Sequence, residues 1–285
     1  MKILLISPWK TVWVHYMKKY FEAKGHTFQY MDKVMLNHLS QFDVVISGWA
    51  NQYAQYLAGF PKLAKKYICF VRSYEYYHGL VKDIKFSAYD KVIFVNKHIM
   101  DKMNLPNAML MNNAIDLERV PFIEHTKGRQ VLLLANISFK KGIPLFLQIA
   151  RKMPDYMFHI AGKIQDIRFS EYIEHAGLLN VKLIGYQTNI VKLFTDYQYI
   201  ALTSPAEGNP NCIIEGMAAG LKPVLHRFMG WWGQFPESAF FDTIDEAETI
   251  IRSDEYDSKS YRQWVGKHYD MWEIFPRLEE VICVR

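Results

Sequence analysis

The apolar positions of this chain fall into short continuous runs separated by stretches with helical spacing. Lys2 to Ser7 is the first run; Val14, Met17 and Phe21 mark one helical face within Val14 to Lys24; Thr27 to Tyr30 has the length of a second strand. Phe42 to Ser47, Tyr67 to Val71 and Lys91 to Val95 repeat the pattern, and Ala108 to Met111 adds a short strand. Runs this uniformly apolar suit strands covered on both faces. Strands alternating with helices predict a parallel, doubly wound sheet.

The periodicity breaks over Leu117 to Arg129, a charged, Pro-containing stretch that reads as a linker, and then restarts. Strands are expected at Gln130 to Leu134, Tyr156 to Ala161, Val181 to Ile184 and from Tyr199, with Pro223 to Leu225 closing the series. Helices are expected at Gly142 to Met153, Ser170 to Ala176 and Asn189 to Phe194, and Ser258 to Val284 reads as two more. The fold class is therefore α/β: two doubly wound parallel-sheet (Rossmann-like) domains facing a cleft, spanning residues 1–123 and 124–285.

The stretch after Tyr199-Ile200-Ala201-Leu202 carries the candidate chemistry. Glu207-Gly208-Asn209-Pro210-Asn211 leads into Cys212-Ile213-Ile214-Glu215-Gly216-Met217-Ala218-Ala219-Gly220. Asn209 has the makings of an N-cap, Pro210 suits the first helical position, and Gly220 suits a left-handed C-cap, so a helix is expected from Pro210 to Ala219. Its amino end, at the carboxyl edge of a parallel sheet, is an anion site with two carboxylates beside it.

Composition narrows the partners. The chain has 285 residues, half of them apolar, and no apolar run as long as a membrane span. The amino-terminal run is short and lacks a small-residue cleavage site, so it reads as a strand and a cytoplasmic protein is expected. The three cysteines, Cys69, Cys212 and Cys283, have no metal spacing and read as reduced thiols. A net charge of +5, scattered in small clusters, argues against a nucleic-acid partner. It suits a phosphorylated small molecule or peripheral contact with an anionic membrane through a basic, aromatic surface of the first domain.

Gly185 to Leu225, with the two glutamates and Gly216-Met217-Ala218-Ala219-Gly220-Leu221-Lys222-Pro223-Val224, resembles the donor-binding half of the retaining glycosyltransferases of family 4, of GT-B fold. Lys141-Gly142, Ile160-Ala161-Gly162-Lys163, Asn112 to Asp116 and the terminal Tyr269 to Glu273 extend the likeness over most of residues 110–285. The resemblance implies a hexosyltransferase of carbohydrate biosynthesis that moves a sugar from a UDP- or GDP-sugar to a small-molecule, glycan, lipid or protein acceptor. It implies no metal and no further cofactor, and a last helix, about 269–282, returning to the first domain.

By the same resemblance Glu207 contacts the transferred sugar, Glu215 the ribose hydroxyls, and Gly185-Tyr186 the base. Lys141, Gly208, Asn209, Pro210 and Asn211 meet the diphosphate, whose growing charge on departure needs such a setting. Lys140 stands beside Lys141 and fits the same role. Solvated surface residues are the competing reading for Glu215 and both lysines, and the Trp231-Trp232 pair reads equally as sugar platform or turn packing.

Three departures change the picture. Asn136, after Ala135, stands where the family has a diphosphate arginine, leaving Lys140, Lys163 or Arg72 to supply the charge. Pro8 to Trp13 lacks the family's paired glycines. In place of a family histidine after Tyr67 to Val71 stands Arg72-Ser73-Tyr74-Glu75, with His78 following; Glu75 and His78 are the candidates to assist the acceptor, against a reading as solvated loop residues. A nucleotide-sugar epimerase or hydrolase, and a sensing module without transfer, stay open beside the transferase. A dinucleotide oxidoreductase does not fit, because no Gly-x-Gly-x-x-Gly follows the first strand.

Overall fold

The apolar runs become the strands of two parallel sheets, and the central ones are buried on both faces. The structure, a computed structural model, describes residues 1–283; Val284, expected at the end of the last helix, lies outside them. The chain divides into two compact units, residues 1–116 with 268–285, and residues 117–267.

The first unit alternates β1 (Lys2–Ile6), α1 (Val12–Ala23), β2 (Thr27–Met31), α2 (Leu36–Leu39), β3 (Val44–Ser47), α3 (Gln52–Ala58), β4 (Lys66–Val71), α4 (Ser73–Tyr77), β5 (Lys91–Phe94), α5 (Lys97–Met103) and β6 (Ala108–Leu110). Its strands are ordered β2-β1-β3-β4-β5-β6, all parallel. Ile3, Leu4, Leu5, Val44 and Ile46 are fully buried in its centre. The order reverses between β1 and β3, and loops leaving the carboxyl ends of such neighbours open a crevice.

The second unit continues with β7 (Gln130–Leu134), α6 (Ile143–Lys152), β8 (Met157–Ala161), α7 (Ile167–His175), β9 (Val181–Gly185), α8 (Ile190–Phe194), β10 (Tyr199–Leu202), α9 (Asn211–Ala219), β11 (Lys222–His226), β12 (Phe240–Phe241), α10 (Ile244–Arg252) and α11 (Ser258–Tyr269), whose last turn passes the boundary. The order is β12-β11-β10-β7-β8-β9, parallel throughout, with the reversal between β7 and β10. The series does not close at Leu225. β12 is too short to show a period in sequence, and α10 follows it behind a capping box in which Thr243 and Glu246 satisfy each other's backbone N–H groups.

The stretch expected as a linker is tied down within the second unit. Arg262 on α11 donates through Nη1 to the carbonyls of Val120 (2.6 Å) and Ala218 (2.8 Å), and through Nη2 to that of Leu117 (3.1 Å). One guanidinium thereby holds the start of the unit against the end of α9.

The final helix, α12 (Met271–Cys283), packs in the first unit. Its Phe275 lies 5.5 Å from the Tyr20 ring of α1, and its Glu279 accepts from the Tyr20 hydroxyl at 2.7 Å. The outgoing and returning segments are bonded side by side: Ile115 donates its N–H to Tyr269 O (2.8 Å) and accepts that of Met271 (2.9 Å). Among the described residues no helix is long and apolar enough to cross a membrane.

Candidate active site

In the second unit the loops after β7, β8, β9 and β10 all leave the same edge of the sheet, because the strands are parallel. That edge gathers most of the residues singled out from the sequence. Lys141 follows β7 and Glu207 follows β10, so the two stand on either side of the point where strand order reverses.

Lys141 closes a single 3-10 turn, Phe139–Lys141. The next residue, Gly142, has a left-handed φ of 62°, and a Cβ there would come within 2.0 Å of the Thr203 carbonyl oxygen. Thr203 in turn donates its hydroxyl to Lys141 O at 2.8 Å. The turn after β7 is therefore pressed onto the end of β10, and Lys141 Nζ reaches Glu207 Oε1 at 2.6 Å. Burial opposes the charge on Lys141, but the Glu207 carboxylate outweighs it and raises the ammonium above its ordinary range. Such a pair is a preformed donor and acceptor with little net charge.

α9 begins at Asn211, with Pro210 as its cap residue, one position later than expected. Asn209 does not cap it. The buried Asn209 side chain instead donates to Gln234 Oε1 at 2.8 Å, and Gln234 Nε2 donates to the carbonyls of Gly208 (2.9 Å) and Gly230 (2.8 Å). Gln234 thus buckles the glutamate loop to the loop before Trp231, a role that nothing in its sequence context signalled. At the other end Gly220 has φ of 102° and forms the expected left-handed cap. The first turn of α9 presents backbone N–H groups beyond the sheet edge, a favourable setting for a phosphate.

Glu215, further along α9, has no hydrogen bond or ion pair among the described residues. Burial alone pushes its carboxyl up to about 7. A carboxylate so placed gains most from ligand hydroxyls that donate to it. Cys212 lies close enough to feel Lys141, Glu207 and Glu215, but burial dominates and pushes its thiol up to about 12, which leaves it inert.

The remaining candidates lie on the same edge. Asn136 and Lys140 are exposed on the loop after β7. Gly162, after β8, approaches that loop so closely that a Cβ would come within 1.9 Å of Ala135 O. The exposed Lys163 holds its ammonium 4.7 Å from the ring centre of Tyr186, which follows Gly185 at the end of β9 and is itself exposed. Trp231 and Trp232 lie parallel with ring centres 6.1 Å apart, and Trp232 is exposed.

The first unit places Glu75 and His78 apart. Glu75, 1% exposed, turns inward and accepts the Ala50 N–H at 3.0 Å. Burial pushes its carboxyl up to about 7, although Arg72 pulls the other way. His78 comes after the last residue of α4, where the chain turns outward; it stacks on Tyr74 at 4.1 Å in solvent. Arg72, considered from sequence only as a source of phosphate charge, lies in an aromatic nest. Its guanidinium carbon is 4.8 Å from the Trp13 ring and 4.9 Å from that of Trp49, and Nη1 donates to Asn113 Oδ1 at 2.9 Å. Gly48 makes room for Trp13, since a Cβ there would meet the indole at 3.0 Å.

Two other features do not coincide with these residues. A cavity of about 650 Å³ opens at the amino end of β11, lined by Lys222, Pro223, Tyr256 and Tyr261, at the opposite edge of the sheet. Among the described residues one group, His26, Glu279 and Cys283, brings ligating atoms within 4.8 Å of one another, and its Glu279 is engaged by Tyr20 and His26.

Two Rossmann-like units built in this way define the GT-B class of fold. Residues 115–232 match the family model of the glycosyl transferases group 1. No curated protein matches the chain in sequence. Among solved structures, HepE from Anabaena in complex with UDP superposes with a TM-score of 0.76 at 13% identity, covering 99% of each chain. A glycosyltransferase from Rickettsia africae ESF-5 gives 0.75 at 14%, covering 99% of this chain and 97% of that one. A TarM mutant from S. aureus, in complex with Fondaparinux, alpha-GlcNAc-glycerol and UDP, gives 0.68 at 16%, covering 95% of this chain. The present chain spans 58% of the TarM chain.

Proposed function

We propose that the chain is a retaining, metal-independent glycosyltransferase that moves a hexose from a nucleotide-diphosphate sugar to a glycan, lipid, protein or small-molecule acceptor. The observation that carries this reading is the Lys141–Glu207 pair at the strand reversal, with α9 and Glu215 directly after it, inside the segment that matches the family model. Neighbours of the same fold that hold UDP favour a UDP-sugar over a GDP-sugar as donor.

In this mechanism the bond from the anomeric carbon to the phosphate oxygen breaks, and the electron pair leaves with the nucleoside diphosphate. The acceptor hydroxyl attacks from the same face, and its proton passes to the departing phosphate oxygen. No protein nucleophile is needed, in keeping with the inert Cys212. Lys141 and the first-turn N–H groups of α9 meet the charge that grows on the diphosphate, with Lys140 and Lys163 in reserve for the arginine replaced by Asn136. Glu207 turns from Lys141 toward the sugar hydroxyls, Glu215 accepts from the ribose, and the backbone near Gly185 and Tyr186 meets the base. Glu75 and His78 belong to the acceptor side.

The three free cysteines suit a cytoplasmic setting. Exposed Tyr56, Phe60 and Leu63, near Lys62 and Lys65, suit peripheral contact with an anionic membrane. The test is a panel of UDP- and GDP-sugars with EDTA present, scored by thermal shift and by release of the nucleoside diphosphate. The expected result is stabilisation by one donor class, lost in Glu215→Ala, and anomeric retention in the product. Silence toward every donor would remove the reading, and an epimerised or simply hydrolysed sugar with acceptors present would redirect it.

A further inference from the structure

Among the described residues, five of the nine buried side-chain atoms that lack a hydrogen-bond partner lie in one cluster of the first unit: Thr11 Oγ1, Trp13 Nε1, Trp49 Nε1, Arg72 Nε and Glu75 Oε2. They come from the loops and helix starts that follow β1, β3 and β4, three neighbouring strands whose carboxyl ends share one edge. β1 and β3 are the pair between which strand order reverses. Buried polar groups are normally satisfied, so such a concentration points to a ligand that satisfies them.

The chemistry of the five atoms says what that ligand carries. Two indole N–H groups and a guanidinium N–H can only donate, and the threonine hydroxyl can donate. Arg72 is charged at every accessible pH, and its edge is a planar fork matched to carboxylate or phosphate. Asn113 occupies one of its donors, while the two tryptophan rings lie against the guanidinium and hold its plane. No ion pair joins Arg72 to Glu75 among the described residues, although each feels the other, and burial pushes the Glu75 carboxyl up to about 7.

We propose that this cluster binds an oxyanion carried by the acceptor, a phosphate or a carboxylate, held on the edge of Arg72 by the indole N–H groups of Trp13 and Trp49. The assignment of that anion to the acceptor rests on the glycosyltransferase reading; the anion site itself does not. Trp9, half exposed and edge-on to Trp49 at 5.0 Å, and the exposed Tyr74 give the site an aromatic rim suited to the ring or chain that bears the anion. The acceptor class is then an acidic one, a sugar or lipid phosphate or a uronic acid.

The experiment titrates the full chain, with UDP held saturating, with glucose 6-phosphate, glucuronate and glucose, followed by tryptophan fluorescence and by calorimetry. The expected result is at least tenfold tighter binding of one or both anionic sugars than of glucose, phosphate and carboxylate sources being separated by which of them binds. Arg72→Met should abolish the preference. Trp49→Phe, which keeps a ring and removes one donor, should weaken it severalfold, and serves if Arg72→Met does not fold. Equal binding of glucose and its acids, or a preference that survives both substitutions, would overturn the proposal. If UDP fails to bind while the anion preference stands, the transferase reading falls and the site remains.

Discussion

Lys141 and Glu207, 66 positions apart in sequence, meet at 2.6 Å across the point where the second sheet reverses its strand order. The contact exists because Gly142 lets the turn after β7 pack against Thr203 at the end of β10. The two residues expected separately from sequence, one for phosphate and one for sugar, are a single unit before any ligand arrives.

A unit has a kinetic signature. Lys141→Met and Glu207→Gln should each lower kcat/KM by roughly 10²–10³-fold, the scale of losing one preorganised charged partner in a transition state. The double variant should lose far less than the product of the two. Steady-state kinetics on the four proteins decides it; multiplicative losses would mean that the residues act independently.

Glu215 should make donor affinity depend on pH. Its folded carboxyl sits at about 7, and hydroxyls that donate to it prefer the ionised form. The ionised fraction rises about tenfold from pH 6 to pH 8, and affinity for UDP-glucose, whose diphosphate does not titrate there, should rise by up to that factor. Calorimetry at the two pH values should find the rise in the native chain and none in Glu215→Gln.

Glu75 should oppose folding as pH rises. Its folded carboxyl, at about 7, lies above the ordinary value of 4.5, so between those limits the folded chain holds a proton that the unfolded chain has released. The sign follows: the penalty is absent below pH 4.5, grows as pH rises, and levels off above 7 at about 3 kcal/mol. Glu75→Gln should raise the melting temperature at pH 8 and leave it nearly unchanged at pH 4.5. A substitution equally harmful at both would show that the buried carboxyl carries no such penalty.

Gly142→Ala should unfold or loosen the second unit. The added methyl group meets a backbone oxygen at 2.0 Å, and the residue's φ of 62° disfavours any side chain. A loss of about 3 kcal/mol or more is expected from strain of this kind, with Lys141 displaced. Chemical denaturation measures it, and Gly185→Ala is the comparison that isolates the clash, since its φ of 70° carries the same backbone strain while a Cβ there meets nothing within 4 Å.

The parts of this architecture legible in sequence are those with a period or a local chemical signature. β1, β4, β7 and β10 announce themselves as continuous apolar runs, and the Glu207 to Gly220 stretch as acid, helix and glycine cap. Helices α2, α3 and α4 have four to seven residues, less than two turns, and leave no period to read. The partner of Asn209 was hidden for another reason: Gln234 is 25 residues away in an irregular loop, and two loops meet there only because β10 and β11 lie side by side. The nest around Arg72 is assembled from three strand ends and depends on ring faces, which spacing does not record. His78 stands three residues from Glu75, a helical distance, but α4 ends at Tyr77 and the two side chains part.

The return of α12 to the first unit has a consequence for synthesis. Residues 117–267 are an insertion within the chain of the first unit, whose outgoing and returning segments are bonded through Ile115 and Met271. During translation the inserted unit emerges whole while its host still lacks the helix that covers Tyr20 and Phe21. The nascent first unit must therefore carry an uncovered aromatic face until α12 emerges, and chaperone contact with the growing polypeptide should concentrate on that face.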